Sequence, residues 1–187
     1  MSRYQPLDPA ALDADQQRIW QEIASGPRSN VPPPLQIWLR SPNLAENAQR
    51  LGAFCRFGTS LEPRLSELAI LMTARQWTAH YEWHHHEAFA RKAGLPDAVI
   101  AAIAQRLTPD FAREDERAVY DFCRVLYRDH RVDDATYARA LAQFGERGIV
   151  DLVGIMGYYA LISMTLNVFE VPVPEGAQLP LDDSPPA

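Results

Sequence analysis

Five histidines occur in this 187-residue chain, and three stand together in Tyr81-Glu82-Trp83-His84-His85-His86. Glu82 and His86 are four positions apart. On a helix that spacing puts them on one face, near enough for the side chains to touch. The small and apolar residues Ala79, Phe89, Ala90 and Ala93 recur at three- and four-residue steps, and the same stripe carried backwards lands on Glu82 and His86. An ionisable pair therefore falls on the side expected to pack inward, where an unpartnered charge is costly. Glu67 is a second charge out of place, in a run of leucine, isoleucine, alanine and methionine. A short helix–turn–helix brings it beside the pair. Two carboxylates around one imidazole perturb each other's proton affinities and suit general acid–base work near neutral pH.

The same residues allow plainer roles. A Glu–His pair at this spacing can be a surface contact worth a few tenths of a kcal/mol, and Glu67, Glu82 and His86 could form a carboxylate-rich metal pocket. His84 and His85 point elsewhere around the helix and are expected at an interface or in solvent. Trp77, Tyr81 and Trp83 flank the pair and either pack in the core or line a small pocket. Arg75 can pair with a buried glutamate or grip a substrate carboxylate through its planar fork. Cys55 and Cys123 are far apart and belong to no C-x-x-C pair, so they are read as buried packing thiols.

The elements that must hold these residues are helical. Periodicity and proline punctuation predict helices over 13–25, 41–57, 62–78, 80–93, about 95–106, 111–130 and 133–144, then a long apolar helix over 148–169. Ser41-Pro42 reads as an N-cap and first-turn proline, Gly94 as a left-handed C-cap, and His130 as a helix C-terminal residue. The run Pro32-Pro33-Pro34 is expected to be extended or a turn. No stretch alternates apolar and polar residues, so the fold class is all-α, with an N-terminal arm and first helix over 1–34, a helical domain over 35–175 and an irregular tail over 176–187.

Composition narrows the function classes. Acidic and basic residues are interleaved at a net charge of −6, without the basic stripe that nucleic-acid binding requires. The opening residues Met1 to Ala14 are polar and contain two prolines, so a cytoplasmic location is expected. Residues 148–169 are long and apolar enough to span a bilayer. They carry Asp151, Ser163, Thr165 and Asn167 and lack flanking lysine or arginine clusters, so a buried helix in a core or subunit interface is expected instead of a membrane span.

The run Leu65-Ser66-Glu67-Leu68-Ala69-Ile70-Leu71, followed by Tyr81-Glu82-Trp83, His86 and Ala93-Gly94-Leu95, resembles the carboxymuconolactone decarboxylase family, which shares a fold with the alkylhydroperoxidase D proteins. The segment from Gly157-Tyr158-Tyr159 to Asn167-Val168-Phe169-Glu170-Val171-Pro172 is similar to the end of its longer members. The resemblance covers about residues 35–175. It implies an alkylhydroperoxidase D-like helical bundle around a central helical hairpin, assembled as a homodimer, trimer or hexamer. In the peroxidase branch a glutamate, a C-x-x-C pair and a histidine form the motif. Here Glu67 and His86 match its outer members, while Ala79 and Glu82 occupy the cysteine positions. The resemblance thus implies decarboxylase-like acid–base chemistry on a small organic acid or lactone, without a cofactor or metal. Glu67, Glu82 and His86 would be catalytic, with Arg75, Tyr81 and Trp83 binding substrate. The alternatives are a peroxiredoxin-type antioxidant activity using a distant cysteine, and a non-catalytic metal- or ligand-binding oligomer.

Overall fold

The computed structural model describes residues 2–179 and 181–182. Among these there is no strand. A 3-10 turn at Pro9–Ala11 is followed by α1 (Ala14–Ser25), α2 (Pro33–Trp38), α3 (Pro42–Phe57), α4 (Pro63–Gln76), α5 (His80–Lys92), α6 (Asp97–Ala104), α7 (Glu114–Asp129) and α8 (Asp134–Val168). Two local expectations change. The proline run opens α2, because Pro33 and Pro34 occupy the first turn, where a missing N–H costs nothing. Ser41 does precede α3, but its side chain makes no capping hydrogen bond.

Helix α4 forms the centre and packs against α5, α7 and α8. Its Leu68, Ala69, Leu71 and Ala74 are fully buried, as a helix that is apolar on most sides must be. Near its start, Arg64 is pinned to α7 by Glu116 at 2.5 Å and Asp115 at 2.7 Å. The α4–α5 hairpin turns at Thr78, which takes a left-handed φ of 47°. The Ala79 N–H closes the turn on the Ala74 carbonyl at 2.8 Å. Asn167 Nδ2 on α8 donates to the Trp77 carbonyl at 2.7 Å and ties the turn to the far end of the fold. Helix α5 ends as its sequence indicates, at Gly94 with φ 92°.

Helix α8 absorbs both of the last two predicted helices. It breaks at Gly145, whose φ of 64° and ψ of 177° lie in a region essentially restricted to glycine. Beyond the break its apolar stretch is long enough to cross a membrane, yet most of it is buried inside the fold. Leu152, Ile155, Tyr159, Ile162 and Leu166 pack inward, whereas Val150, Val153, Met164 and Val168 stay exposed.

Candidate active site

His86 is the centre of the site. It is 1% exposed, and each ring nitrogen faces a carboxylate: Nδ1 lies 2.6 Å from Glu67 Oε2, and Nε2 lies 3.0 Å from Glu82 Oε1. Glu82 reaches it through the one-turn spacing within α5, and Glu67 reaches it across the hairpin from α4. Burial disfavours the imidazolium, but the nearby Glu67 and Glu82 charges and their hydrogen bonds outweigh it and raise the His86 pKa to about 9. At neutral pH the ring therefore carries both protons and donates to both carboxylates. The Tyr159 ring stands edge-on to His86, with centroids 5.1 Å apart. Burial holds the Tyr159 phenol well above its usual pKa, so it remains a hydrogen-bond donor.

Glu82 and His86 line a small recess of about 40 Å³ together with Arg28, Arg56, Tyr158 and Tyr159. That is room for about one water or a group of similar size. The recess adjoins a larger cleft of about 400 Å³ and shares Arg28, Arg56, Tyr81 and His85 with it. Glu67 is not among the residues lining the recess and, half-buried, meets the opposite ring nitrogen of His86. This arrangement gives one carboxylate, Glu82, access to a bound molecule, a charged imidazole to stabilise it, and two guanidiniums near the entrance.

The wall is assembled from distant elements. Arg28 comes from the loop after α1, Arg56 from the last turn of α3, and Tyr158 and Tyr159 from α8. The fit between α3 and α8 depends on Gly52. A Cβ there would lie 2.0 Å from the Tyr158 hydroxyl and 2.7 Å from an Arg28 nitrogen. Arg56 lies over the Phe89 ring at 4.6 Å.

Of the residues singled out from the sequence, Glu67, Glu82 and His86 are brought into contact, and Tyr81 lines the cleft. Trp83 is 1% exposed and packs in the core, since one step along a helix rotates a side chain by about 100° away from its neighbour. Arg75 lies two helical turns beyond Glu67 and pairs instead with Asp182. His85 is exposed, as expected, and in addition it lines the cleft, stacked on Tyr81 at 6.4 Å and beside Phe89 at 5.2 Å. Burial of its ring, with the neighbouring His86 and Arg56 charges, lowers its pKa to about 4, so it is neutral. Arg28, Arg56, Tyr158 and Tyr159 escaped the sequence reading of the site. The available signals were a glycine inside α3 and a polar-tipped tyrosine pair inside an apolar helix.

No family model matches the chain, and no curated protein does. Among solved structures it is similar to a crystal structure of an alkylhydroperoxidase AhpD core, an uncharacterized peroxidase-related protein from Ralstonia eutropha JMP134. The TM-score is 0.72 at 18% sequence identity, with 93% of each chain covered. The chain has the all-helical fold of the alkylhydroperoxidase D core.

Proposed function

We propose that this protein is a proton-transfer enzyme, decarboxylase-like, acting on a small organic acid or lactone. The observation that carries the proposal is the Glu67–His86–Glu82 constellation around a buried imidazole, with Glu82 and His86 facing a recess. Glu82 exchanges a proton with the substrate carbon or oxygen. His86 holds Glu82 in place and offsets its charge, and Glu67 fixes the orientation and protonation of His86. When a carboxyl group leaves as carbon dioxide, the electron pair stays on carbon and takes up a proton that His86 Nε2 passes through Glu82, and solvent then returns a proton to the imidazole. A neighbouring phenol such as Tyr159 stabilises the developing enolate oxygen. Arg28 and Arg56, in place of Arg75, anchor the acid group.

Two observations favour this chemistry over its rivals. Cys55 is buried, and burial with the nearby Asp151 charge pushes its thiol up to about 11, far from the thiolate that peroxide reduction needs. Cys123 is likewise buried, and its pKa is raised by burial. Both nitrogens of His86 are engaged by carboxylates, so neither lone pair is directed at a shared metal position. Glu82→Gln and His86→Ala are each expected to lower turnover by on the order of 10²–10⁴ in a decarboxylation screen, with the helical circular dichroism unchanged. The double variant Cys55→Ser/Cys123→Ser is expected to leave that turnover intact. Full activity in both site variants would refute the assignment.

A homo-oligomeric state belongs to the same proposal. The exposed Val150, Val153 and Met164 form an apolar stripe along α8, and Leu51 and Phe54 are exposed on the adjoining α3. Apolar residues repeated along one exposed helix face mark a surface suited to a partner.

A further inference from the structure

The cleft outside the Glu82–His86 recess holds its cations in an unusual way for this chain. Exposed arginines elsewhere find carboxylates, as Arg18 does with Glu46 at 2.9 Å and Arg91 with Glu87 at 2.7 Å. Among the described residues Arg28 and Arg56 form no ion pair, and aromatic faces hold them instead. Arg56 lies over the Phe89 ring at 4.6 Å and the Phe57 ring at 5.5 Å, and Arg28 lies over Phe57 at 5.9 Å. Arg28 also donates to the Tyr158 hydroxyl. A ring attracts a cation without consuming its N–H donors, so both forks keep donors for a carboxylate.

Charge sets how many acid groups the cleft takes. Among the described residues Glu82 is the one acid lining the recess, and the cleft has none. The His86 imidazolium offsets one of Glu67 and Glu82, one guanidinium offsets the other, and His85 is neutral. A single positive charge is left over, and one carboxylate neutralises it.

The walls set the shape of what carries that carboxylate. Phe57 is 50% and Phe89 37% exposed, so both present apolar rings to the cleft without covering each other. Tyr81 and His85 stand nearly parallel, 12° between their planes. The cleft of about 400 Å³ falls within the range of small-molecule sites, and a hollow of about 310 Å³ beside it shares Tyr81, His85 and Phe89. Flat rings of this kind favour an occupant that is itself flat and aromatic.

We infer that the cleft selects an aromatic monocarboxylic acid, its carboxylate on Arg28 and Arg56 and its ring against Phe57, Phe89 and His85. As a statement about substrate this rests on the proton-transfer reading. As a statement about what the cleft binds it is tested alone.

The test is calorimetric titration of the full chain with 3-phenylpropionate and two relatives. In 3-cyclohexylpropionate the acid is kept and the flat ring lost; in 3-phenylpropanol the ring is kept and the charge lost. The phenyl acid is expected to bind roughly fivefold tighter than the cyclohexyl acid. Over the alcohol the expected preference is on the order of tenfold or more. Arg56→Gln should abolish the preference for acid over alcohol, and Phe89→Leu the preference for phenyl over cyclohexyl, with the helical circular dichroism unchanged. Should either variant unfold, Arg28→Gln or Phe57→Leu takes its place, and the same preference should shrink. These probes lack a carbonyl to stabilise a carbanion, so binding is read apart from turnover. Both preferences in a protein that decarboxylates nothing would remove the proton-transfer reading and keep the ligand class. Absence of phenyl-acid binding, equal affinity for the two acids, or preferences unmoved by the variants overturns the inference, whether or not turnover is found.

Discussion

A charged imidazole between two carboxylates makes His86 a stability element as well as a chemical one. Its folded pKa is raised from 6.5 to about 9, so between those values the folded chain holds a proton that the unfolded chain releases. The resulting stabilisation is complete below pH 6.5 and is lost as pH rises through 9. For a fully buried group with a shift of this size it amounts to roughly 3 kcal/mol. Urea unfolding at pH 6.5 and pH 9 is therefore expected to give a lower stability at the higher pH. In His86→Gln that decline should be largely absent. A variant with the same decline as the unaltered chain would place the proton elsewhere. Arg75 shows the opposite kind of residue: equally buried, but matched by a carboxylate from the surface and unconnected to the acid–base chemistry proposed for His86.

Helix contacts carry the site's precision through glycines. Gly52 lets the Tyr158 hydroxyl settle against α3, so Gly52→Ala is expected to cost about 1–3 kcal/mol through overpacking and to disturb the recess. Gly145→Ala meets no neighbouring atom within 4 Å, but its backbone sits at φ 64°, ψ 177°. It is expected to cost a similar amount through backbone strain. Denaturant titrations of the two variants check both, and a tyrosine-dependent change in near-ultraviolet dichroism should accompany only the first. These helices also explain how much could be read from the sequence. Glu82 and His86 were legible because the helical period makes residues four apart neighbours whatever the rest of the fold does. Glu67 was legible as a charge in an apolar run one hairpin away. Arg28 lies in a proline-rich loop that has no period to read. Tyr158 and Tyr159 lie in a helix so apolar that its inward face cannot be distinguished. Arg75 reads as a pocket residue from sequence because its partner, Asp182, lies in a segment without any pattern. The all-α class followed from periodicity alone, whereas the helix at Pro33 needed the first-turn exception that a bare proline count overlooks.

At the scale of the whole molecule, α8 divides its surface between two tasks. One side closes the core over α4, and the other leaves Val150, Val153 and Met164 exposed. If that stripe is the contact between copies, Val153→Glu is expected to shift the light-scattering mass to a smaller species while the helical spectrum is retained. An unchanged mass would remove α8 from the interface. The origin of the site's parts has a further consequence. Glu67 and His86 are nineteen positions apart, and Glu82 lies between them, all on one hairpin. The arginines and tyrosines of the wall come from α3, α8 and a loop. On the proposed reading, the carboxylates and imidazole that would move the proton and the wall that would select a substrate are therefore encoded in separate stretches of chain. If that reading holds, selectivity can drift under mutation of the wall while the hairpin stays fixed, and a shared hairpin would then imply a shared mechanism but not a shared substrate.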